Sequence, residues 1–216
     1  MRRLASALLV PALLWLSGCH QSQPVHTDWI IRAKLVFLAA DLATERPAVP
    51  AAQFRLFFPY IAGDIYGSPT TGDFINPTVG ADYRFEIDLN RSHQALLASL
   101  EPTEFSVSYL HIEPAGARVA RLAPMVLQAD GIEPLGRTDW VDADSRQALL
   151  LLYLDRAATI SGRATSAGKP LRYAIHTAAA GYVWVGQQSS ADENVYTVTA
   201  APTRLLLAVT PPVPGP

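Results

Sequence analysis

The sequence predicts a mainly β protein, an antiparallel β-sandwich formed as one large or two small units, with one short helix near residues 90–100. Short apolar or alternating runs recur along the chain, and most of them end at Gly, Pro, Asn or Asp. Their spacing of about 8–12 residues is typical of a β-sandwich. The clearest run is residues 83–89, where apolar side chains at odd positions alternate with charged ones, as in a half-buried strand.

The first part of the chain after its leader contains several candidate strands and the single helix. The second strand is predicted to end at Pro59, because proline cannot donate a hydrogen bond to a neighbouring strand. The helix is capped by Asn90 or Ser92 and ends before Pro102. The strands are predicted at residues 29–40, 54–58, 60–66, 83–89, 105–112, 118–122 and 125–129.

A polar, turn-rich segment at residues 130–144 is predicted to separate two β-rich halves, residues 28–130 and 145–211. The second half opens with the leucine-rich run 149–154, which we interpret as a buried strand although leucine also favours helix. Residues 212–216 are predicted to form a free tail. The remaining strands are expected at residues 159–164, 171–177, 182–187, 195–199 and 205–210.

Residues 1–18 have the features of a cleaved signal peptide. Arg2 and Arg3 supply positive charge, and residues 4–16 form an apolar segment followed by two small residues. This segment is too short for a transmembrane helix, which needs about 20 residues. Removing residues 1–18 from the 216-residue chain leaves 198 residues, and losing both arginines changes the formal net charge from -2 to -4.

Residues 16–19, Leu-Ser-Gly-Cys, resemble the lipobox of bacterial lipoproteins, and Cys19 is the only cysteine in the chain. The resemblance implies cleavage before Cys19 and attachment to the membrane through acyl chains on this residue, which leaves no thiol for a disulfide. Because His20 rather than Asp follows, it also implies the periplasmic face of the outer membrane. Residues 19–27 would be the lipidated cysteine and its tether, whose eight residues span at most about 28 Å.

The composition excludes some classes of partner. The chain has no basic stretch, so the sequence does not support nucleic-acid binding. A chain of this length buries roughly 70% of its unfolded surface on folding, which is enough for an apolar core to hold it without disulfides. We therefore expect a globular domain with a conventional core.

The second half carries strand and turn signals at residues 160–162 (Ile-Ser-Gly), 168–171 (Gly-Lys-Pro-Leu) and 181–184 (Gly-Tyr-Val-Trp). In these signals, residues 157–211 resemble transthyretin-like and carboxypeptidase-regulatory-like β-sandwich domains. The resemblance implies an immunoglobulin- or transthyretin-like sandwich for this half. The first half is open to the same interpretation, although no repeat relates the two halves residue by residue.

Motifs of enzyme active sites do not match the sequence well. Ser166 and Lys169 have the spacing of penicillin-recognising acyl enzymes, but Gly168 and Pro170 predict a turn where that chemistry needs one helical turn. The sequence contains no Gly-x-Ser-x-Gly, no phosphate-binding glycine loop and no His-Glu-x-x-His. We predict no catalytic residue, no cofactor and no enzymatic activity.

Two polar groups contain side chains that metal ions prefer. His111 and Glu113 lie two apart in a predicted strand and so share a face, where His93 or His176 would complete a zinc site by converging with them. A surface pair is the interpretation that we favour. The acidic group Asp139, Asp142 and Asp144 lacks the glycine and the third ligand of a calcium loop, so we interpret it as a solvated loop. We predict no metal site.

Tyr182 and Trp184 are the candidate binding residues. They share one face of a predicted strand, and Val183 and Val185 share the other. Valines in the core would display the rings to a glycan or an envelope protein, whereas the opposite arrangement would bury the rings. The sequence thus predicts a lipid-anchored, periplasm-facing envelope protein that acts as a non-enzymatic structural or binding module. The alternatives are an envelope carbohydrate- or peptidoglycan-binding protein and a metal-dependent hydrolase.

Overall fold

The computed structural model describes residues 29–39, 41–62, 74–89, 110–131, 133–166 and 168–211. They form a mainly β protein, as the sequence predicts, with one 3₁₀ turn at Ala51–Gln53. The signal segment, Cys19, the tether, most of the predicted strand 105–112, the helix predicted at residues 90–100 and the tail lie outside the described residues. In the described part of the chain no helix is long and apolar enough to cross a membrane.

The strands are β1 (Ile30–Phe37), β2 (Phe54–Ala62), β3 (Phe74–Ile75), β4 (Arg84–Asp88), β5 (Leu110–Glu113), β6 (Val119–Leu122), β7 (Met125–Gln128), β8 (Arg137–Asp142), β9 (Ala148–Leu154), β10 (Ala158–Ser166), β11 (Lys169–Thr177), β12 (Gly181–Ser189), β13 (Asn194–Thr199) and β14 (Leu205–Thr210).

The strands form one large mixed sheet with a smaller group attached to it. The main ladder runs β4-β1-β14-β8-β9-β12-β13-β11-β10-β5, and β6 links it to β2 by pairing with both β9 and β2. β3 and β7 also pair with β2. The pairs β1–β14 and β11–β13 are parallel, so the expectation of a wholly antiparallel sheet is wrong. Parallel neighbours need a crossover connection, and for β11 and β13 the intervening strand β12 provides it.

Strands from both predicted halves contribute to the same ladder. The first strand, β1, pairs with the last strand, β14. β5 pairs with β10, and β6 pairs with β9. The sheet is therefore completed by the two parts of the chain together.

Strand β9 is apolar on both faces because it lies between two cores. Leu149, Leu151 and Tyr153 point into one cluster of buried side chains, which we call the first core, together with residues of β1, β2, β4, β6, β7, β8 and β14. Leu152 and Leu154 point into a separate cluster, the second core. A strand covered on both faces needs continuous rather than alternating apolar residues, which explains the leucine run. The prediction of a buried strand here is confirmed.

The second core is enclosed by one face of the curved end of the sheet. Its buried members come from β5, β6, β9, β10, β11 and β12, with Val198 of β13 packed against them. Strands at opposite ends of this run, β5 and β9, supply side chains to the same cluster, so the sheet must curve around it. This core shares no buried residue with the first core.

Strand β2 continues through Pro59, so the prediction that it ends there is wrong. β7 pairs with residues 54–57 and β6 pairs with residues 60–62. Pro59 thus lies where the strand changes partner from β7 to β6, and it is itself paired with Phe74 of β3. Residues 60–62 of the separately predicted strand 60–66 belong to this same strand.

The predicted loop at residues 130–144 contains a central strand, β8, and this part of the prediction is wrong. β8 lies between β14 and β9. Trp140 is only 1% exposed in the first core, whereas Val141 packs on the opposite face against Leu38. Two adjacent buried residues that face opposite ways fit a strand that is covered on both faces.

Candidate functional site

The candidate site is a cleft at a fork in the large sheet. β12 pairs with one edge of β9 from Leu149 to Leu154, whereas two different strands share the other edge. The paired positions of β8 on that edge stop at Leu149, and those of β6 begin at Leu152. β6 and β8 therefore separate at residues 150–151, in the middle of β9, and a cleft of about 470 Å³ opens between them. We call it the fork cleft.

Two hydrogen bonds hold the sides of the fork cleft together. The indole Nε1 of Trp140 donates to the Leu122 carbonyl oxygen at 3.4 Å, and the Thr138 hydroxyl donates to the Pro124 carbonyl oxygen. Leu149 and Leu150 also line the cleft. The cleft thus has an apolar lining and sides whose spacing is fixed by contacts between β8 and the β6–β7 connection.

An ion pair on β8 forms one side of the cleft. Arg137 and Asp139 are two residues apart and therefore lie on the same face of the strand. The guanidinium donates from Nη2 to Oδ1 of Asp139 at 3.0 Å, and its Nε lies 2.9 Å from Oδ2. The carboxylate side chain is 18% exposed and the arginine side chain is 64% exposed. This two-point contact fixes the guanidinium plane and neutralises the carboxylate.

Side chains from three other strands complete the lining. Arg121 of β6 lies on the side opposite β8, and Gln187 of β12 and Tyr196 of β13 extend the cleft across the sheet. The Tyr196 ring stacks on Tyr173 of the second core, with ring centroids 5.3 Å apart. The Gln187 carbonyl oxygen accepts a hydrogen bond from the Gln147 side chain at 2.7 Å. These contacts restrain the residues that line the cleft.

The fork cleft has the size and the mixture of groups that small-ligand sites have. Such sites occupy about 300–1,000 Å³ and combine an apolar lining with a few polar groups that fix orientation. Its ionisable lining side chains are Arg121, Arg137 and Asp139, which give a formal charge of +1. Chemically, the arrangement can bind a small molecule and orient it through hydrogen bonds.

Of the charged residues that line the cleft, the sequence singles out only Asp139, as a candidate calcium ligand. Arg137 and Asp139 lie in the segment predicted to be turn-rich, although their alternation with Trp140 is a strand signal. Arg121 reaches the cleft only because β6 pairs with β9, about thirty residues away in sequence. No local sequence pattern predicts which distant strand pairs with β6.

The structure places Tyr182 and Trp184 half-buried against the first core. They share one face of β12, and Val183 and Val185 face the second core. The centroid of the Tyr182 ring is 4.5 Å from that of Trp29, and the centroid of the Trp184 ring is 5.7 Å from that of Trp140. Because both faces of β12 are packed, the two rings contact other aromatic side chains and do not stand out as an exposed pair.

His111 and Glu113 lie together on an exposed face of β5. Nε2 of His111 is 3.2 Å from Oε1 of Glu113, and the side chains are 68% and 70% exposed. The strand register places Glu113 and His176 on either side of Thr159, and the Nδ1 atom of His176 lies 2.9 Å from the Thr159 hydroxyl. Within the described ranges no three His, Cys, Asp or Glu side chains are close enough to hold a metal. His93 lies outside the described residues.

The acidic group of residues 139–144 is divided among separate contacts. Asp139 binds Arg137, as described above. Asp142 accepts a hydrogen bond from the Asp144 N–H at 2.9 Å, and the Asp144 carboxylate binds Arg204 at 3.1 Å. These carboxylates therefore serve ion pairs and a turn at the end of β8.

Ser166 and Lys169 occupy the two ends of the turn between β10 and β11. They are paired in the antiparallel register of these strands, so they are not one helical turn apart. The Lys169 ammonium group donates to the Ser190 carbonyl oxygen. The turn that the sequence predicts at this point is confirmed.

No protein-family model, curated protein or solved structure matches the chain. The geometry of the fork cleft and the residues of the leader are therefore the features that point to a function.

Proposed function

We propose that this chain is a lipid-anchored, non-enzymatic binding module on the periplasmic face of the outer membrane. The observation that carries the binding role is the fork cleft, to which five strands contribute and which is lined by restrained polar and apolar side chains. The observation that supports the anchor is the leader ending in Leu-Ser-Gly-Cys at residues 16–19. The ligand would be a small molecule of the envelope, free or displayed on a larger partner.

The orientation of the domain supports access to the cleft from the periplasm. The described part of the chain begins at Trp29, whose ring lies against Gly181 at the start of β12. Gln187 of the fork cleft lies six residues further along the same strand, which is roughly 20 Å. A tether from Cys19 therefore leads to the end of the domain remote from the cleft. In the proposed arrangement the membrane does not cover the ligand site.

The packing of the first core supports the sandwich that the sequence suggests. Side chains of β2 and β7 meet those of β1, β4, β8 and β14 in this core. Layers that bury their apolar faces against each other are the basis of a sandwich. We propose a sandwich for the first core, with the curved end of the sheet added to it.

The anchor is tested by expressing the full chain in a Gram-negative host that is fed labelled palmitate. The wild type is expected to incorporate the label and to fractionate with the outer membrane, because two or more acyl chains give stable attachment. Cys19→Ala is expected to lose both the label and the membrane association.

A second variant tests the direction of sorting. His20→Asp is expected to keep the label but to move to the inner-membrane fraction. Retention of label and membrane association in Cys19→Ala would show that the anchor assignment is wrong. An unlabelled wild type would lead to the same conclusion.

A further inference from the structure

Four segments of the chain converge at the start of β12. The Trp29 ring lies against Gly181, and the antiparallel register places Gly181 beside Leu154, the last residue of β9. Leu154 in turn pairs with Val119, the first residue of β6. The loops that precede β6, follow β9 and precede β12 therefore meet at the end of the domain where the chain arrives from Cys19. We call the exposed uncharged part of these loops, residues 114–116, 157 and 178–180, the tether surface.

The tether surface is made of small residues without charge. It consists of one proline, one glycine and five alanines, all of them exposed. The exposed turns at the opposite ends of β9 and β12 are polar: residues 144–146 are Asp-Ser-Arg, and residues 188–192 are Gln-Ser-Ser-Ala-Asp. The two ends of these strands thus differ in composition, and the uncharged end is the one to which the tether leads.

Charged side chains lie only at the margin of the tether surface, where they have partners. The Arg156 guanidinium donates to both carboxylate oxygens of Asp155, at 3.1 and 2.9 Å, and the Arg118 N–H donates to the same carboxylate at 2.8 Å. Glu113 contacts His111 at 3.2 Å. Taking a charge out of water is costly, whereas small uncharged side chains avoid that cost. The surface can therefore approach a layer of lipid headgroups while the charged groups at its margin stay hydrated or paired.

The tether limits how far this end of the domain can lie from the membrane. Trp29 is ten positions after Cys19, and ten residues span at most about 36 Å. β12 extends about 26 Å from Gly181 to Ser189, so the polar turns lie farther from the attachment point. A short tether also gives the attached end an effective concentration of the order of millimolar at the membrane, so a weak contact is enough to hold it there.

We infer that the tether surface lies against the phospholipid headgroups of the membrane to which Cys19 is attached. This inference rests on the proposed anchor and identifies the face of the domain that the anchor presents to the lipid. The tether surface has no large apolar side chain to insert between acyl chains, so the contact is at the level of the headgroups. The polar turns and the fork cleft then face away from the lipid.

The test compares the distance of two positions from the lipid in the acylated chain. Because acylation occupies Cys19, Ala179→Cys or Ala191→Cys supplies the one thiol for a nitrobenzoxadiazole fluorophore. Both alanines are exposed in turns, and Ala191 follows the far end of β12. The chains are reconstituted at low density in vesicles of phosphatidylethanolamine and phosphatidylglycerol, with some lipids carrying a nitroxide on the headgroup. The nitroxide quenches fluorophores near the headgroups, and iodide quenches those that water reaches.

The fluorophore at position 179 is expected to be quenched by the nitroxide at least threefold more strongly than the one at position 191. Ala115→Glu adds a negative charge to the tether surface, which anionic lipid repels. It is expected to reduce the nitroxide quenching at position 179 at least twofold. Ala191→Glu is the matched control, because it adds the same charge at the far end, and it is expected to leave the quenching at position 179 unchanged.

Three results would overturn the inference. Equal nitroxide quenching at both positions, or stronger quenching at position 191, would mean that the tether surface does not face the lipid. Quenching that Ala115→Glu leaves unchanged would mean that the tether alone keeps this end near the membrane. Protection from iodide without nitroxide quenching would mean that a protein, such as a second copy of the chain, covers the surface. The palmitate label decides the anchor separately, so an anchored chain that fails these tests rejects this inference alone.

Discussion

The first and second cores differ in the side chains that fill them. The first core is rich in aromatic rings that contact one another: the centroid of Phe58 lies 5.4 Å from that of Trp140 and 5.8 Å from that of Phe85. The second core is mainly aliphatic, and Tyr173 is the one ring among its buried described members. Aromatic side chains thus occupy the centre of the first core, whereas Leu, Ile, Val and Ala make up most of the second.

The difference shows why the fork cleft lies where it does. β9 supplies Leu151 to the first core and Leu152 to the second, so the two cores are joined through one strand. Trp140, a member of the first core, lines the cleft. Tyr196, which packs against the second core, also lines it. The cleft therefore lies where the two cores meet at β9, and packing in both cores restrains the residues that line it.

The largest effect is expected from removing the central ring of the first core. Trp140→Ala is predicted to lower the free energy of unfolding by about 3–5 kcal/mol, because it deletes a fully buried ring and leaves a cavity. Denaturant unfolding followed by circular dichroism measures the change. Trp184→Ala is the comparison, and its half-buried ring is expected to cost less. Equal decreases in the free energy of unfolding would contradict the prediction that Trp140 stabilises the first core more than Trp184 does.

Paired substitutions on β9 test whether the two cores unfold together. Leu151→Ala and Leu152→Ala each delete a buried side chain, one from each core, and each is predicted to cost about 2–5 kcal/mol. Since the cores share β9, both variants are expected to move one common unfolding transition. Tryptophan fluorescence, from the first core, and far-ultraviolet circular dichroism follow it. Separate transitions in either variant would show that the cores are independent.

Gly181 tests the contact between the start of the domain and β12. Its φ of +141° disfavours any side chain, and an added Cβ would lie 2.5 Å from Cη2 of Trp29. Gly181→Ala is therefore predicted to cost about 1–3 kcal/mol in unfolding free energy. Gly116→Ala is the control, since its φ of +78° is also positive but no atom lies within 4 Å of an added Cβ. Thermal unfolding of both variants isolates the clash, and a smaller loss for Gly181→Ala would rule the clash out.

The smallest effect is expected from the turn that follows β9 at the edge of the second core. Partial burial raises the pKa of Asp155, but hydrogen bonds from the Arg156 side chain and the Arg118 N–H outweigh it and lower that pKa below its ordinary value. A lowered pKa contributes stability that is complete above the unfolded value of about 3.9 and is lost as the pH falls through the folded value.

Asp155→Asn removes this contribution at every pH. The wild type is therefore expected to have a higher free energy of unfolding than the variant near pH 5. This difference is expected to shrink as the pH falls toward the folded pKa of Asp155. Unfolding free energies of both proteins across this range give the measurement. A constant difference between them would mean that Asp155 has no lowered pKa.

The sequence predicts individual strands well and their partners poorly. The alternation of residues 83–89 and the leucine run of β9 correspond to strands β4 and β9, because burial of one or both faces leaves a local pattern. β8 was missed because Asp139 and Asp142 make its composition resemble a loop, although one aspartate binds Arg137 and the other receives a turn hydrogen bond. The fork cleft could not be predicted, since it depends on two strands that share one edge of β9.

Intact mass spectrometry of the chain isolated gently from its own membranes tests the central proposal most directly. We predict a covalent mass that begins at Cys19 and includes acyl chains, with a small non-covalent adduct. A chain that retains residues 1–18, an unacylated Cys19, or a chain without any adduct would contradict the proposal.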